Sequence, residues 1–333
     1  MQNPITIHDI AREAGVSAST VSRVLTGNAP VAEPKRLAVH AAVKKLRYRP
    51  NPSAQGLVSG RTGAVGVLTQ SIASPFYGEI LLGIERGLAD SEYLAVIASG
   101  NWRTEDEFSA LNLLSGRRVD GLIALPGVIP DEYLRQVAED LPLIVIGRFV
   151  GGMEGRCLRI DDMEAAYDAT RYLIGLGHQR IAHIAGPRSH QDAVDRRDGY
   201  TRALAQAGLP LDEQLIIEGD YTEQSGLLAI QSLLGRAVLF SAIFAANDQM
   251  AYGARLALYR NAIRVPDDVS LVGFDDQPSS AYTTPPLTTV RQPTIEIGRV
   301  AAQALLSALN GQAVALPKLA TELVVRESAA RRR

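Results

Sequence analysis

Apolar residues in the first fifty positions recur with a helical period. Ile7, Ile10 and Ala14 recur at three- and four-residue spacing, which predicts a short helix with one apolar face. Thr6 is a plausible N-cap before this helix, and Gly15 is a stop signal after it. Beyond residue 61 the pattern changes to short apolar runs that alternate with longer helical stretches. The chain therefore divides into a small helical part and a larger part that contains both strands and helices.

A second short helix is predicted after Ser17, which can serve as its N-cap. Its buried stripe consists of Val21, Val24 and Leu25. The outward face carries small residues, hydroxyls and one cation, whereas exposed helix faces normally carry Glu and Lys. The residues of this face are Ala18, Ser19, Thr20, Ser22 and Arg23. Short hydroxyls can approach phosphates and an arginine can bind guanine in the major groove, so two helices around a glycine turn predict a DNA-binding helix-turn-helix.

A third helix is predicted after Pro34, and several cations follow at its C-terminal end. Its apolar stripe is Ala38, Ala42 and Leu46, and the cations are Lys44, Lys45, Arg47 and Arg49. These cations could complement the helix dipole or extend a basic surface. Residues 1–61 hold nine Lys and Arg against three acidic residues, whereas the rest of the chain holds 25 against 33. A basic segment on an acidic body predicts that only the segment meets a polyanion.

The larger part of the chain reads as a series of buried strands, each followed by a helical stretch. The predicted strands are Ala64–Leu68, Leu94–Ala98, Gly121–Leu125, Leu143–Ile146, Arg180–Ala185, Leu215–Ile217, Ala242–Ala245 and Val269–Phe274. Alternation of strands and helices predicts parallel sheets, and the two similar halves, joined near Asp161, predict two doubly wound lobes. Near the end we expect a helix over Ile295–Leu309 and a last strand over Leu319–Arg326. Ligands of such sheets bind beyond the carboxyl ends of the strands, which here means the cleft between the lobes.

Composition excludes several classes of protein. The hydrophobic fraction is 46% and the charged fraction 21%, as in globular proteins, and the longest apolar runs are too short to span a bilayer. The single cysteine, Cys157, cannot form an intrachain disulfide, and no apolar leader opens the chain, so we expect a soluble, cytoplasmic protein with no membrane partner. The sequence has no phosphate loop, no nucleophile elbow and no metal-ligand spacing among its histidines. We therefore expect no enzyme activity, no cofactor and no metal site.

Two stretches carry a family resemblance. They are T-I-H-D-I-A-R-E-A-G-V-S-A-S-T-V-S-R-V-L-T-G, which begins at Thr6, and Y-R-P-N-P-S-A-Q-G-L, which ends at Leu57. Together they resemble the DNA-binding headpiece of the lactose-repressor (LacI/GalR) family. The resemblance implies an α/β protein: an all-α helix-turn-helix headpiece plus a two-lobed, periplasmic-binding-protein-like effector domain of doubly wound parallel sheets. The implied segments are a headpiece (1–49), a hinge helix and linker (50–61), and an effector and dimerisation domain (62–333), with an N-lobe of about 62–160 and 292–318 and a C-lobe of about 161–291 and 319–330.

The resemblance assigns DNA-binding roles to individual residues of this sequence. Ala18, Ser19 and Arg23 lie where the family reads base edges in the major groove. Positions at or near backbone contacts or at the start of the first helix are Thr6, Ser17, Thr20, Ser22, Asn28 and Tyr48. The hinge-helix match runs over residues 51–57 and supplies Asn51, Ala54 and Leu57. The resemblance implies that Leu57 wedges into the minor groove and kinks the DNA there, the alternative being an ordinary linker leucine.

Effector-binding candidates lie at the ends of the predicted strands. Phe76 follows the first strand and could form an aromatic wall for a ring, or could be a core aromatic. The resemblance places an effector-binding arginine at Arg196 and an effector-binding aspartate at Asp275, which together can bind a sugar diol. Further candidates, for which a structural role is equally open, are Arg148, His190, Asp192, Tyr221, Asn247 and Asp248. Trp102 could be a stacking platform for a sugar, but a lone tryptophan after a strand is at least as often a packing residue.

These observations predict a homodimeric, sequence-specific regulator of transcription, with a repressor favoured over an activator. One small headpiece offers few base contacts, so two copies related by a dyad are expected to bind a pseudopalindromic double-stranded operator. A small molecule in the cleft, with a sugar favoured, is expected to rotate one lobe against the other and so change operator affinity. The alternatives are a regulator that responds to a purine or a sugar phosphate, and a ligand-binding protein without operator specificity. The identity of the effector and the direction of its effect stay open at this stage.

Overall fold

The computed structural model describes residues 5–26, 29–48 and 61–332. The chain forms two compact units, Met1–Thr62 and Gly63–Arg333. Among the described residues, no helix combines the length and the apolar character that crossing a membrane requires.

The first unit is a cluster of three helices. These are α1 (Ile7–Ala14), α2 (Ala18–Thr26) and α3 (Glu33–Leu46). Two N-terminal signals in the sequence are confirmed. The Thr6 backbone N–H donates to Asp9 Oδ2 over 2.9 Å, and the Thr20 N–H donates to the Ser17 hydroxyl over 3.2 Å. Gly15 ends α1 in a left-handed conformation with φ 64°, which glycine adopts without strain.

The core of this unit is made of side chains from all three helices. Ile10, Val21, Val39 and Ala42 are buried together. The predicted stripe of α3 is therefore correct at Ala42, but Val39 is buried in place of Ala38, which is only half-buried.

The second unit begins with a five-stranded parallel sheet, the first lobe. Its strands are β1 (Ala64–Thr69), β2 (Leu94–Ser99), β3 (Gly121–Ala124), β4 (Leu143–Ile146) and β5 (Cys157–Leu158), in the spatial order β2-β1-β3-β4-β5. Its helices are α4 (Pro75–Leu88), α5 (Thr104–Gly116) and α6 (Asp131–Asp140). Side chains of β1 alternate between two cores: Val65 and Val67 lie on one face and Leu68 lies on the other. Helices therefore cover both faces of this sheet.

The second lobe contains a six-stranded sheet. Its strands are β6 (Ile181–Ala185), β7 (Ile216–Glu218), β8 (Ala242–Ala245), β9 (Ser270–Asp275), β10 (Thr288–Arg291) and β11 (Glu322–Val324), in the order β11-β10-β9-β8-β6-β7. All neighbours are parallel except β10 and β11. Its helices are α7 (Asp162–Gly175), α8 (Gln191–Gln206), α9 (Glu223–Gly235) and α10 (Asp248–Arg260).

The chain crosses between the lobes three times, after β5, after β10 and before β11. The second crossing leads into α11 (Thr294–Leu309), which packs against α4 of the first lobe. This packing is close because Gly83 and Gly298 carry no side chain: a Cβ on either would collide with the backbone of the other helix. The doubly wound α/β fold predicted from the strand pattern is confirmed.

Details of the strand prediction are corrected by the structure. Leu94–Ala98 was expected to be a buried strand, but β2 is an edge strand whose Leu94 is 76% exposed and Ile97 43% exposed. The run Leu215–Ile217 starts one residue early, because Leu215 ends a 3-10 turn. The last strand covers only Glu322–Val324 of the predicted Leu319–Arg326. Strands β5 and β10 were not predicted, since one has two residues and the other is largely polar.

Candidate functional site

Helix α2 presents a mixed surface to solvent. Ser19 and Arg23 are exposed, whereas Ala18, Thr20 and Ser22 are half-buried. The expectation that Ala18 faces outward is therefore wrong in part, because it lies three residues before Val21 on the buried stripe and packs against the helical core. The Ser17 hydroxyl bonds the hydroxyls of Ser19 and Thr20, each over 2.9 Å. These bonds fix the start of the helix, and Arg23 is the long polar side chain that it projects.

Some cations of the first unit are paired and others are not. Lys45 lies 2.6 Å from Glu13, so it joins α3 to α1 and is not a free dipole-complementing charge. Arg23, Lys44 and Arg47 are exposed and have no ion-pair partner among the described residues. An unpaired exposed cation keeps its full charge for a polyanion.

The remaining headpiece candidates have mixed outcomes. The Thr6 hydroxyl donates to Asp9 over 2.7 Å, and Tyr48 is half-buried against the helical core. Asn28, Asn51, Ala54 and Leu57, together with Arg49, lie outside the described residues.

A cleft between the two lobes contains two adjoining cavities, of about 80 and 290 Å³. They share the side chains of Phe76, Tyr77, Trp102, Asp192 and Arg196. All of the candidate effector residues except Asp248 line this cleft. Of the candidates that are not shared, Arg148 and His190 line the smaller cavity, and Tyr221, Asn247 and Asp275 line the larger one.

Arg196 is the buried cation of the cleft. Its Nε and Nη2 lie 2.8 Å from Asp162 Oδ1, and its Nη1 donates to the Ala246 carbonyl over 2.7 Å. The guanidinium also stacks on Phe274, with its Cζ 3.9 Å from the ring centroid. Burial raises the pKa of Asp162 to about 6, and Arg196 opposes that rise. Arg196 and Asp162 therefore form a fixed, buried ion pair in the wall of the cleft at neutral pH.

Asp275 ends β9 and faces the larger cavity. It is buried, its backbone has φ 116°, and its Oδ1 accepts from Gln292 Nε2 over 2.8 Å. Burial raises the pKa of this carboxyl well above its usual range. A buried carboxylate with one bonded oxygen keeps acceptor capacity, and hydroxyl donors of a ligand can fill it.

Asp192, Tyr221 and Asn247 form a connected group beside Arg196. The Tyr221 hydroxyl donates to Asp192 Oδ2 over 2.8 Å, and Asn247 Nδ2 donates to the Tyr221 carbonyl over 3.0 Å. Asn247 also caps α10, because its Oδ1 accepts from the Met250 N–H over 2.9 Å. Asn247 thus has the structural role left open above, and it still lines the cavity.

Asp248 lies outside the cleft, whereas Trp102 lies inside it. Asp248 is fully buried outside the two cavities, where it accepts from Gln277 N, the Ser280 hydroxyl and the Thr289 hydroxyl. It is therefore a structural residue, and it does not line the cleft. Trp102 lines both cavities, and its indole stacks on His190 of the other lobe with centroids 4.1 Å apart.

Arg148 is largely committed to the loop after β3. It donates to the carbonyls of Gly127 and Ile129 over 3.2 and 2.5 Å, and it lies 2.9 Å from Asp131. Both terminal nitrogens are thus bonded within the first lobe. Arg148 therefore holds the cleft wall more than it offers charge to a ligand.

Several lining residues were missed in the sequence. Tyr77 faces both cavities, Asp162 and Gln292 face the smaller one, and Asp220 and Gln249 face the larger one. Tyr77 stands directly after Phe76, so the same strand-end argument could have found it. Gln292 could not have been found that way, because it comes from the crossing segment after β10.

Two family models match separate parts of the chain. Residues 6–51 match the lacI family of bacterial regulatory proteins, and residues 170–329 match the periplasmic binding protein-like domain. The regulator GalR of Escherichia coli (strain K12) is 38% identical over 303 residues, which cover 91% of this chain and 88% of GalR.

Solved structures agree over nearly the full length. The lac repressor dimer bound to operator and the anti-inducer ONPF aligns with a TM-score of 0.88 and 31% identity, covering 98% of this chain and 100% of that one. The complex of the regulator CelR with cellobiose aligns with a TM-score of 0.73 and 36% identity, covering 97% and 99%. These relatives are regulators of transcription and not enzymes. With its helix-turn-helix unit and its two-lobed cleft, the chain belongs to the LacI family of DNA-binding transcriptional regulators.

Proposed function

We propose that this protein is a homodimeric repressor whose affinity for a pseudopalindromic operator is controlled by a neutral sugar in the cleft. The observation that carries the ligand part is the set of polar groups around the larger cavity: Arg196 beside two carboxylates, Asp192 and Asp275, with the aromatic rings of Phe76 and Tyr77. Vicinal hydroxyls can donate to the carboxylates and accept from the cation, while a ring face packs on the aromatics.

The charge of the cleft favours a neutral sugar over a sugar phosphate. Arg196 is already neutralised by Asp162, and the terminal nitrogens of Arg148 are bonded within their own lobe. Burial lowers the pKa of His190, so this imidazole is neutral near pH 7 and adds no positive charge. In the larger cavity a phosphate would therefore meet Asp192 and Asp275, and Arg196, the one cation among the described residues that line it, is already paired. CelR, a relative of this chain, was solved with the neutral disaccharide cellobiose.

The DNA part of the proposal is supported by the surface of α2 and α3. Ser19 and Arg23 are exposed on α2, and at the end of α3 Lys44 and Arg47 have no ion-pair partner within the part of the chain that the structure describes. Arginine can distinguish guanine through its O6 and N7, whereas lysines and hydroxyls that contact phosphates set position and affinity. The lac repressor dimer, which this chain resembles along 98% of its length, was solved on its operator.

Exposed apolar side chains support the dimer. On the first lobe, Leu94 and Ile97 of β2 are exposed beside Leu113 of α5. On the second lobe, Tyr259 is 79% exposed and Tyr282 is 86% exposed. Neighbouring exposed apolar side chains such as Leu94, Ile97 and Leu113 are typical of a protein interface, and a second copy of the chain would supply the matching surface by two-fold symmetry.

The test is a selection of operator sequences by the full chain from a pool of random duplexes. The selected duplex is then used in binding titrations with and without D-glucose, D-galactose and cellobiose. We expect a sequence with two-fold symmetry, bound more weakly in the presence of one of the sugars. A symmetric operator that is bound more tightly with a sugar would identify a corepressor and overturn the direction of control.

A further inference from the structure

The indole of Trp102 and the imidazole of His190 form a stacked pair that joins the two lobes. Their centroids are 4.1 Å apart and their planes differ by 19°. Trp102 follows β2 of the first lobe, whereas His190 precedes α8 of the second lobe. Each ring therefore covers a face of the other across the cleft.

Trp102 is held rigidly in place by the first lobe. Its backbone is left-handed, with φ 58°, which is costly for a bulky residue, and its N–H donates to the buried Gln70 Oε1 over 2.9 Å. Its ring lies against Gly127, where an added Cβ would come within 2.7 Å of Trp102 Cε3. Backbone strain that the surroundings maintain is typical of functional sites, and here it directs the indole into the cleft.

The imidazole of His190 has incomplete hydrogen bonding where it lies. It is buried, but its Nδ1 has no hydrogen-bond partner among the residues that the structure describes. Other rings near it are Tyr221, with a centroid distance of 5.9 Å, and Trp102 itself. A buried nitrogen without a partner is unfavourable, so the imidazole gains hydrogen bonds when it leaves the stack for water.

The indole of Trp102 lies in the cleft, where it can stack on the ring of a bound ligand. Trp102 lines both cavities, close to Asp192 and Arg196, whose polar groups suit sugar hydroxyls. A sugar ring presents an apolar face of C–H groups, and a large aromatic ring is the natural surface for that face. In this structure His190 covers that surface of the indole.

We propose that Trp102 is the stacking platform for the ring of the effector and that His190 covers this platform until the effector replaces it. The inference rests on the sugar response proposed above and adds its structural trigger. The ligand binds the state in which the stack between the lobes is broken, so it has different affinities for the two states of the cleft. Such a difference is what a ligand needs in order to shift a conformational equilibrium.

The first arm of the test needs no ligand and uses the fact that Trp102 is the sole tryptophan of the sequence. Emission and acrylamide quenching are measured on the full chain for the wild type, His190→Ala and His190→Phe, with His40→Ala on α3 as the matched control. We expect His190→Ala to shift the emission to longer wavelength and to increase quenching. His190→Phe restores a stacked ring and should behave like the wild type, as should His40→Ala. An unchanged spectrum in His190→Ala would show that the stack does not cover the indole.

The second arm measures binding of D-glucose, D-galactose and cellobiose by calorimetry. For a sugar that binds the wild type, we expect Trp102→Ala to lose about tenfold in affinity, since stacking on an aromatic ring has that magnitude. His190→Ala should gain affinity, because no imidazole has to be displaced. If His190 simply contacted the ligand, His190→Ala would bind the sugar more weakly than the wild type. Weaker binding by His190→Ala therefore overturns the inference.

Failure of the inference and failure of the proposed function have different signatures. A sugar that binds the wild type and Trp102→Ala equally well leaves the proposed function standing and refutes the platform. If none of the three sugars binds the wild type, the sugar response itself fails, and the inference fails with it.

Discussion

The side-chain amide of Gln292 donates to Asp275 Oδ1 across 2.8 Å, inside the cleft. Gln292 belongs to the segment that carries the chain from β10 of the second lobe to α11 of the first. The carboxylate at the end of β9 is thus bonded to a crossing between the lobes. A ligand hydroxyl that bonds Asp275 acts next to a segment that any movement of the lobes must bend.

Asp275→Asn is expected to weaken sugar binding and abolish the sugar response. The amide keeps the size of the side chain, but one acceptor oxygen becomes an NH2 group that cannot accept from a ligand hydroxyl, and a lost hydrogen bond of this kind is worth about 0.5–1.5 kcal/mol. Operator affinity without sugar should stay near the wild-type value. Calorimetry and operator titrations measure the two effects, with the exposed Asp267→Asn as the matched control. A normal response of Asp275→Asn to the sugar that acts on the wild type would refute the assignment.

Arg196→Leu is expected to destabilise the second unit by about 3–5 kcal/mol. The change leaves Asp162 buried without its cation, which costs far more than the loss of a surface pair. The neighbouring Arg197→Leu removes a pair with the exposed Glu213 and should cost about 1 kcal/mol or less. Urea unfolding of the full chain gives both values. Similar losses of unfolding free energy in the two variants would contradict the assignment of Arg196 as the buried ion-pair partner of Asp162.

Arg23→Ala is expected to relax the base preference at one position of each half-site, at a cost of about 1–3 kcal/mol. Lys44→Ala, at the end of α3, is the comparison: it should weaken all sequences alike and reduce the dependence on salt. Selection from a randomised operator library, repeated with each variant, separates the two effects. An unchanged preference profile in Arg23→Ala would exclude base readout by that residue.

His183 is expected to make folding stability depend on pH between about 6.5 and 4. Its ring lies between Tyr200 and Phe244, and burial lowers its pKa to about 4. Below pH 6.5 the unfolded chain takes up a proton that the folded chain refuses, so stability falls as the pH decreases, by about 3 kcal/mol in total. His183→Phe should remove this component. The check is the difference in unfolding free energy between wild type and variant at several pH values, and a constant difference would count against the prediction.

Local signals in the sequence were sufficient for most of the fold. Thr6, Gly15 and Ser17 mark helix ends through bonds to residues two to four positions away, and apolar runs mark strands through their own burial. Exposure of Leu94 was not predictable, because the edge position of β2 depends on where the sheet stops.

In the cleft, too, residues with a local signal could be predicted, whereas contacts between distant residues could not. Residues at strand ends, such as Phe76 and Asp275, could be placed from the strand pattern and the family resemblance. The contacts of Trp102 could not, since its stacking partner lies 88 positions away and in the other lobe. In the sequence a lone tryptophan after a strand is ambiguous between packing and binding, and only the relation of the two lobes decides between them.

We propose that the first unit binds a specific duplex and that the cleft controls this binding. Operator selection by the full chain, followed by titration of the selected duplex with neutral sugars, tests both parts at once. We expect one enriched sequence with two-fold symmetry and a loss of affinity when a sugar occupies the cleft. Equal, salt-sensitive binding to every duplex in the pool, with no enriched sequence, would contradict it.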